Sequence, residues 1–288
     1  MSDLGQNAAM RRVRTGDVDL HFEAVGEGEP LVLIHGLGSC GEDWGPQVGS
    51  FSDRYHVIAL DLRGHGRSSK PRGPYSIPVF AQDTAALLRA LQVGPAHVVG
   101  ISLGGMVAFQ LAVDAPELVK SLAIVNSGPA VPADTFKQRL PLNIRLAYLR
   151  FLGLPRMAKM IAKRLFPKPG QGALQEAFVA RLSGNDKHAY RESLKAIFGW
   201  SVVDRLDAIR CPVLVLTADQ DYAPVELKRA YAERLADARV VVIPDSRHAL
   251  PMEKPREFNA ALDEFLASLA AGRPADGGTP AAFQEKTS

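Results

Sequence analysis

The sequence predicts an α/β fold, with a mostly parallel central sheet flanked by helices. Two observations lead to this prediction. Short apolar runs, typical of buried strands, alternate with segments of helical periodicity, and this alternation favours parallel strands joined by helices. In addition, 47% of the 288 residues are hydrophobic, which is sufficient to cover both faces of such a sheet.

The predicted elements follow one another from an edge hairpin through six buried strands. An alternating stretch at residues 13–25 predicts the antiparallel hairpin. The six apolar runs lie at residues 30–35, 56–61, 97–100, 122–126, 212–217 and 239–244. Helical periodicity occurs at residues 79–91, 106–115, 225–235 and 255–270.

Residues 127–201 interrupt this alternation, because they contain no strand-like run and carry amphipathic patches instead. These patches lie at residues 144–152, 157–166 and 174–182. We interpret the segment as a helical cap, inserted after the sixth strand and lying over the carboxyl ends of the strands. Residues 13–126 and 202–270 then form the core. Residues 1–12 are expected to be a flexible N-terminus, and residues 271–288, rich in Gly, Pro and Ala, a disordered tail.

A serine flanked by glycines is the candidate nucleophile. Ser102 is the centre of a Gly-x-Ser-x-Gly motif that ends the apolar run at 97–100, and a helical pattern starts at once. A sharp strand-to-helix turn exposes the serine hydroxyl and requires small residues on both sides. The same turn brings the Leu103 N–H to a helix N-terminus, where it favours negative charge on a substrate oxygen. Leu37, in the His-Gly-Leu-Gly loop at residues 35–38, is expected to supply the second N–H of this oxyanion hole.

The serine needs a base, and His248 is the best candidate among the seven histidines. It lies in a polar loop after the run at 239–244, and catalytic residues of open α/β sheets collect at the carboxyl ends of strands. A carboxylate must then hold the imidazole tautomer. Asp221, in the turn after the run at 212–217, is favoured for this role, and Asp219 is its local rival.

These motifs together resemble those of the α/β-hydrolase superfamily, in the branch with a helical cap. The resemblance covers residues 13–269 and includes the segments at 35–38, 61–68 and 246–248 beside the serine turn. The motifs resemble most closely those of esterases and 3-oxoadipate enol-lactonase-type enzymes. The resemblance implies that Ser102 is the nucleophile, Asp221 the acid and His248 the base. Epoxide hydrolases and haloalkane dehalogenases of this superfamily carry Asp at the serine position, so the serine argues against those two activities.

A dinucleotide-binding oxidoreductase is the rival enzyme class. Residues 36–41 also satisfy Gly-x-Gly-x-x-Gly after a strand, and Asp61 ends the next strand, where a ribose-binding acid would lie. However, Gly45, Pro46 and Gly49 follow this motif and make a poor start for the helix that should hold a pyrophosphate. This alternative also assigns no role to the loops that carry the serine, the aspartate and the histidine.

The bulk properties exclude several other classes. The formal net charge of +3 is small and does not indicate nucleic-acid binding. Cys40 and Cys211 are far apart, which predicts neither a disulfide framework nor a metal site and fits a reducing cytoplasm. The N-terminus has no apolar core of signal-peptide length. We therefore expect a cytoplasmic protein that needs no cofactor and no metal.

The cap carries the clearest indication of substrate or partner. Residues 136–168 contain nine Lys or Arg residues, no Asp or Glu, and many interleaved apolar residues. The patch is either a solvated face or a surface that attracts an anionic substrate, an acidic carrier protein or an anionic membrane surface. Trp200 and Phe198, where the cap rejoins the core, are candidate pocket residues. Arg63 is a candidate ligand for a substrate carboxylate, although pairing with nearby carboxylates is its ordinary use.

The function predicted from the sequence is a serine hydrolase that cleaves a carboxylic ester, thioester or lactone of a small-molecule substrate with an apolar acyl group. The attack on the acyl carbon forms an acyl-enzyme, which water then hydrolyses. A carbon–carbon bond hydrolase or enol-lactonase with the same three residues is the nearest alternative. A ligand-binding protein that keeps the hydrolase fold without turnover is an alternative of another class.

Overall fold

The computed structural model describes residues 11–272, in which eight strands form one sheet. The strands are β1 (Arg11–Thr15), β2 (Val18–Val25), β3 (Glu29–Ile34), β4 (Tyr55–Leu60), β5 (Ala96–Ile101), β6 (Val119–Val125), β7 (Val213–Ala218) and β8 (Ala238–Ile243). Their order across the sheet is β1-β2-β4-β3-β5-β6-β7-β8. β1 and β2 form the predicted antiparallel hairpin, β2 is antiparallel to β4, and the remaining neighbours are parallel. The predicted mostly parallel α/β fold is confirmed.

Ten α-helices lie within the described residues. They are α1 (Gly45–Phe51), α2 (Ile77–Ala90), α3 (Leu103–Asp114), α4 (Phe136–Phe151), α5 (Gly153–Leu165), α6 (Gly172–Ser183), α7 (Lys187–Ile197), α8 (Val225–Ala232), α9 (Leu250–Glu253) and α10 (Pro255–Ala270). On one face, Phe51 of α1 and Phe265 of α10 pack against alternate residues of the strands. On the other face, Phe80 of α2 and Phe109 of α3 pack against the intervening residues. The central strands are therefore buried on both sides, which explains their nearly continuous apolar runs.

Four helices, α4 to α7, lie between β6 and β7 and form an apolar cluster of their own. Met157, Leu182 and Tyr190 are buried in this cluster. The segment rejoins the core where the backbone of Ala130 pairs with that of Ser201. Helix α7 has no counterpart among the three amphipathic patches named from the sequence, although Ala189, Tyr190 and Leu194 give it a buried apolar face.

The predictions for the two termini are only partly covered by the described residues. Arg11 and Arg12, expected in a flexible N-terminus, belong to β1, where they pair with β2. Residues 1–10, and residues 273–288 of the expected tail, lie outside the described residues. No helix within residues 11–272 is both long enough and apolar enough to cross a membrane.

Candidate active site

The candidate nucleophile Ser102 occupies the turn between β5 and α3. Its backbone has φ 54° and ψ −115°, a conformation that non-glycine residues rarely adopt. Two neighbours hold this turn: the Ser102 N–H donates to the Val125 carbonyl at 2.9 Å, and the Ser127 hydroxyl donates to the Ser102 carbonyl at 2.7 Å. A strained residue persists only where its surroundings fix it, and such residues concentrate at functional sites.

Two further predicted residues meet beside this turn. The His248 Nδ1 and the Asp221 Oδ1 lie 2.6 Å apart, so the carboxylate holds a proton on Nδ1. The Nε2 atom is then the ring position free to accept a proton. The Asp221 side chain is only 2% exposed, whereas that of His248 is 19% exposed and lines the same cavity as Ser102. No hydrogen bond joins Ser102 to His248 in the described residues, and such contacts commonly tighten only when substrate binds.

The rival carboxylate, Asp219, stabilises the loop that carries the histidine. Its two oxygens accept hydrogen bonds from the backbone N–H groups of Asp245 and Ser246, at 2.9 and 3.0 Å. These residues precede His248 in its loop, so Asp219 shapes the loop and does not contact the imidazole. The geometry thus distinguishes the two aspartates, which the sequence left as alternatives.

Asn126 connects two segments of the site by hydrogen bonds, a role that sequence reasoning did not identify. Its amide nitrogen donates to the carbonyls of Arg247 and His248, at 3.2 and 3.0 Å. Its Oδ1 accepts the N–H of Ala218 at 2.9 Å, at the end of β7. One side chain at the end of β6 therefore joins the histidine loop to the strand that leads to Asp221.

Lys228 is the second unforeseen residue. It is buried on α8, and its ammonium group donates to the Asp221 Oδ2 and, at 2.7 Å, to the Ala223 carbonyl. Burial raises the pKa of Asp221, but the hydrogen bonds and charges of His248 and Lys228 outweigh burial, and the net pKa lies below the usual value for Asp. The Asp221 carboxylate is therefore ionised at neutral pH and shared between a lysine and a histidine.

Replacement of Lys228 by methionine is expected to move the acid limb of the kcat/KM–pH profile to higher pH. Without the lysine, Asp221 loses one of the two groups that hold its pKa below the usual value, so its carboxylate becomes protonated at a higher pH. Lys228→Arg keeps the charge and serves as the control. A Lys228→Met profile that overlays the wild-type profile would contradict this coupling.

Of the two expected oxyanion donors, Leu37 lines the cavity and Leu103 begins the helix that follows Ser102. Leu103 is the first residue of α3, so its N–H lacks an intrahelical acceptor. Leu37 follows β3 in a loop that borders the same cavity as Ser102. The neighbouring His35 fixes this loop: its Nε2 accepts the Leu62 N–H at 3.0 Å, and its Nδ1 donates to the Gly36 carbonyl at 2.7 Å. Burial lowers the pKa of His35, which keeps the ring neutral.

A cavity of about 1120 Å³ opens between the core and the helices α4 to α7. Ser102, His248, Leu37 and the predicted pocket residue Phe198 line it. Trp200, the other predicted aromatic, does not line the cavity. Its indole N–H donates to the Gln110 Oε1 at 2.7 Å, and it packs in the core.

The prediction that Arg63 binds a substrate carboxylate is wrong. The Arg63 side chain is buried outside the cavity and forms a two-point hydrogen bond to Asp83, at 2.6 and 2.9 Å. Its remaining N–H groups donate to Asp17 and to the Pro74 carbonyl. These partners use the guanidinium fully, so Arg63 has the ordinary structural role that the sequence left open.

The dinucleotide-binding alternative does not fit the structure. Asp61 is buried, and its two oxygens accept the backbone N–H groups of Gly41 and Arg67, both at 2.7 Å. It therefore closes the loops around it and cannot bind a ribose. Cys40 lies in the same region, where burial raises the pKa of its thiol to about 12. Between Arg11 and Gly272, no three His, Cys, Asp or Glu side chains form a group suited to a metal ion.

Comparisons with known proteins agree with this fold. Residues 31–261 match the sequence profile of the alpha/beta hydrolase family. A putative carbamate hydrolase, RutD, of Azorhizobium caulinodans is 34% identical over 264 residues, which cover 88% of this chain and 97% of that protein. The 3-oxoadipate enol-lactonase 2 of Acinetobacter baylyi is 31% identical, with coverage of 87% and 94%. The crystal structure of an enol-lactonase from Burkholderia xenovorans superimposes with a TM-score of 0.83 at 25% identity, over 89% of this chain and 100% of that chain.

Proposed function

This chain belongs to the alpha/beta hydrolase family, and we propose that it cleaves a carboxylic ester, thioester or lactone through an acyl-enzyme on Ser102. One observation carries the proposal. The paired Asp221 and His248 open onto the same cavity as a serine held in a strained strand-to-helix turn. This combination of an exposed hydroxyl, an oriented base and a buried carboxylate is what nucleophilic acyl transfer requires.

The proposed reaction follows from these positions. The Ser102 oxygen attacks the acyl carbon as its proton passes to the His248 Nε2, and Asp221 stabilises the imidazolium that forms. The oxyanion accepts hydrogen bonds from the N–H groups of Leu37 and Leu103. The imidazolium then protonates the leaving group. Water, activated by the same histidine, adds to the acyl-enzyme, releases the acid and restores the serine.

The cavity wall supports an acyl substrate with an anionic group. Two of the cations that line it are neutralised, since Arg181 pairs with Glu42 and Lys228 with Asp221. The other two, Arg145 and Arg164, form no ion pair with a carboxylate in the described residues. The remaining wall is mostly apolar, with Met, Ile, Leu and Phe side chains.

Arg164 is also placed beside the reacting end of the cavity. Its guanidinium lies 5.4 Å from the centre of the Tyr222 ring, and this ring stacks on His248 with 4.2 Å between centroids. Arg145 donates its Nε–H to the Tyr190 hydroxyl at 2.9 Å, which leaves its terminal N–H groups for a ligand. We therefore assign to these two arginines the binding of a carboxylate on the substrate.

The first test is hydrolysis of p-nitrophenyl esters from acetate to laurate. We expect turnover with an optimum chain length that reflects the apolar wall. A wild-type protein inert on all esters, thioesters and lactones tried would contradict the proposed chemistry. A phenyl carbamate belongs in the same panel because of the similarity to the putative carbamate hydrolase, and its cleavage would use the same attack by Ser102.

The assignment of Arg145 and Arg164 predicts a preference between two esters of equal length. The mono-p-nitrophenyl ester of succinate is expected to have a kcat/KM about tenfold above that of p-nitrophenyl butyrate, since a charged hydrogen bond contributes about 1.5–3 kcal/mol. Arg145→Gln and Arg164→Gln should each abolish this preference and leave butyrate turnover unchanged.

Matched controls exist on the outer face of the cap. Arg156 and Lys159 are exposed on α5 and do not line the cavity. Arg156→Gln and Lys159→Gln should therefore retain the succinate preference. Loss of the preference in these two variants would show that general attraction by the basic cap, and not the cavity arginines, selects the anion.

A further inference from the structure

Helix α4 has an apolar stripe that the described residues leave partly or largely exposed. Side chains three or four positions apart lie on one face of a helix. The stripe consists of Phe136, Leu140, Ile144, Tyr148 and Phe151, all of them exposed. The two terminal phenylalanines are 76% and 77% exposed, values far above those of ordinary packed aromatics. They lie about 22 Å apart along the helix, at 1.5 Å per residue.

The opposite side of α4 is already occupied. Leu149 is buried there, and Leu142 and Leu146 pack on the same apolar cluster as helices α5 to α7. Helix α4 is therefore apolar on two faces, although a helix at the surface of a soluble domain needs only one. Packing within the described chain accounts for the inner face but not for the stripe.

The surroundings of the stripe are basic. Arg139 and Arg150 border it on one side of α4, and Arg145 borders it on the other. The following helix, α5, adds the exposed residues Arg156, Lys159 and Lys163. Because residues 136–168 contain no Asp or Glu, this surface carries a continuous positive charge.

The stripe also leads into the cavity. Ile144 and Tyr148 belong both to the stripe and to the cavity wall, together with Met160 of α5, which is 46% exposed. The apolar surface of the stripe is therefore continuous with part of the wall of the cavity that contains Ser102.

We propose that the stripe of α4 and the basic residues around it bind the surface of an anionic phospholipid membrane. A linear apolar face with Lys and Arg along its edges is the arrangement with which a helix lies in the interface of a bilayer. The aromatic rings enter the boundary between headgroups and acyl chains, while the cations contact lipid phosphates. A second copy of the chain fits this surface poorly, since two acid-free basic faces would repel each other.

The test is sedimentation of the purified full chain with vesicles. Phosphatidylcholine vesicles are compared with vesicles of phosphatidylcholine and phosphatidylglycerol at three to one, in low and in high salt. We expect binding to the anionic vesicles and at least tenfold weaker binding to the neutral ones. High salt should weaken binding to the anionic vesicles.

Two variants separate the apolar and the charged contributions. Phe136→Asp/Phe151→Asp removes the ends of the stripe, and Lys159→Glu/Lys163→Glu reverses two charges; each should weaken binding at least tenfold. Arg210→Glu/Arg229→Glu reverses two exposed charges outside this surface and should bind like the wild type. All these residues are exposed, so thermal unfolding should confirm that each variant is folded.

The remaining outcomes overturn the proposal. These are failure of the wild type to bind anionic vesicles, equal binding to both vesicle types, or binding unaffected by the two stripe variants. A concentration-dependent dimer that Phe136→Asp/Phe151→Asp dissociates would assign the stripe to a second copy. Salt-sensitive binding of an acidic acyl-carrier protein in place of vesicles would assign it to that partner. None of these readouts depends on the proposed hydrolase chemistry.

Discussion

Replacement of Ser102 by alanine is expected to lower kcat/KM for p-nitrophenyl butyrate by about a thousandfold or more. The substitution removes the oxygen that forms the acyl-enzyme but leaves the cavity, the Leu37 and Leu103 N–H groups and the Asp221–His248 pair in place. Residual activity would come from those groups alone. The measurement is steady-state hydrolysis of the ester by both proteins at matched concentration.

The folded state should tolerate this change. The backbone N–H and carbonyl of Ser102, and not its side chain, make the contacts that hold the turn. We therefore expect a thermal unfolding midpoint close to that of the wild type. Ser201→Ala, at an exposed serine outside the cavity, should keep full activity. A Ser102→Ala protein that is folded and within a few-fold of wild-type activity would exclude Ser102 as the nucleophile.

The second large effect is expected from Gly104→Ala. A Cβ atom at Gly104 would lie 2.1 Å from the Ile34 carbonyl oxygen and 2.7 Å from that of His35. Backbone at the end of β3 cannot yield without disturbing the neighbouring loop that carries Leu37. Overpacking of this kind typically costs about 1–3 kcal/mol, and we expect the upper end or more because the clash is with backbone. Denaturant unfolding measures the free energy of unfolding. The rate of ester hydrolysis should fall together with this free energy.

Gly49→Ala is the matched control for this prediction. Gly49 lies within helix α1, and a Cβ atom there would have nothing within 4 Å. Because alanine favours helix more than glycine does, this variant should be stabilised by roughly 0.5–1 kcal/mol. A Gly104→Ala protein as stable and as active as Gly49→Ala would mean that the close approach of α3 to β3 is not required.

The sequence predicted the elements whose signals are local. The apolar run at 97–100 is contained in β5, and the run at 239–244 overlaps β8. The turn at Ser102 was predictable for the same reason, since the strand, the glycines and the helix that form it are adjacent in the chain. His248 could be selected because it lies in the loop that follows a strand.

Contacts between distant segments were beyond sequence reasoning. Asn126 gave no signal of its role in the sequence, yet its side chain joins the histidine loop to β7. From the sequence, Lys228 is expected to be a solvent-exposed lysine of an amphipathic helix. Only the fold shows that it is buried against Asp221. The errors at Trp200 and Arg63 have a similar origin, because their partners, Gln110 and Asp83, lie elsewhere in the sequence.

The most direct test of the central claim is covalent labelling with a serine-directed p-nitrophenyl phosphonate, followed by mass spectrometry of the intact protein and its peptides. We expect one phosphonyl group per chain, located on Ser102, and release of one equivalent of p-nitrophenol with loss of ester hydrolysis. Ser102→Ala should take up none. An active protein that remains unlabelled, or that carries the label on another residue, would contradict the acyl-enzyme mechanism.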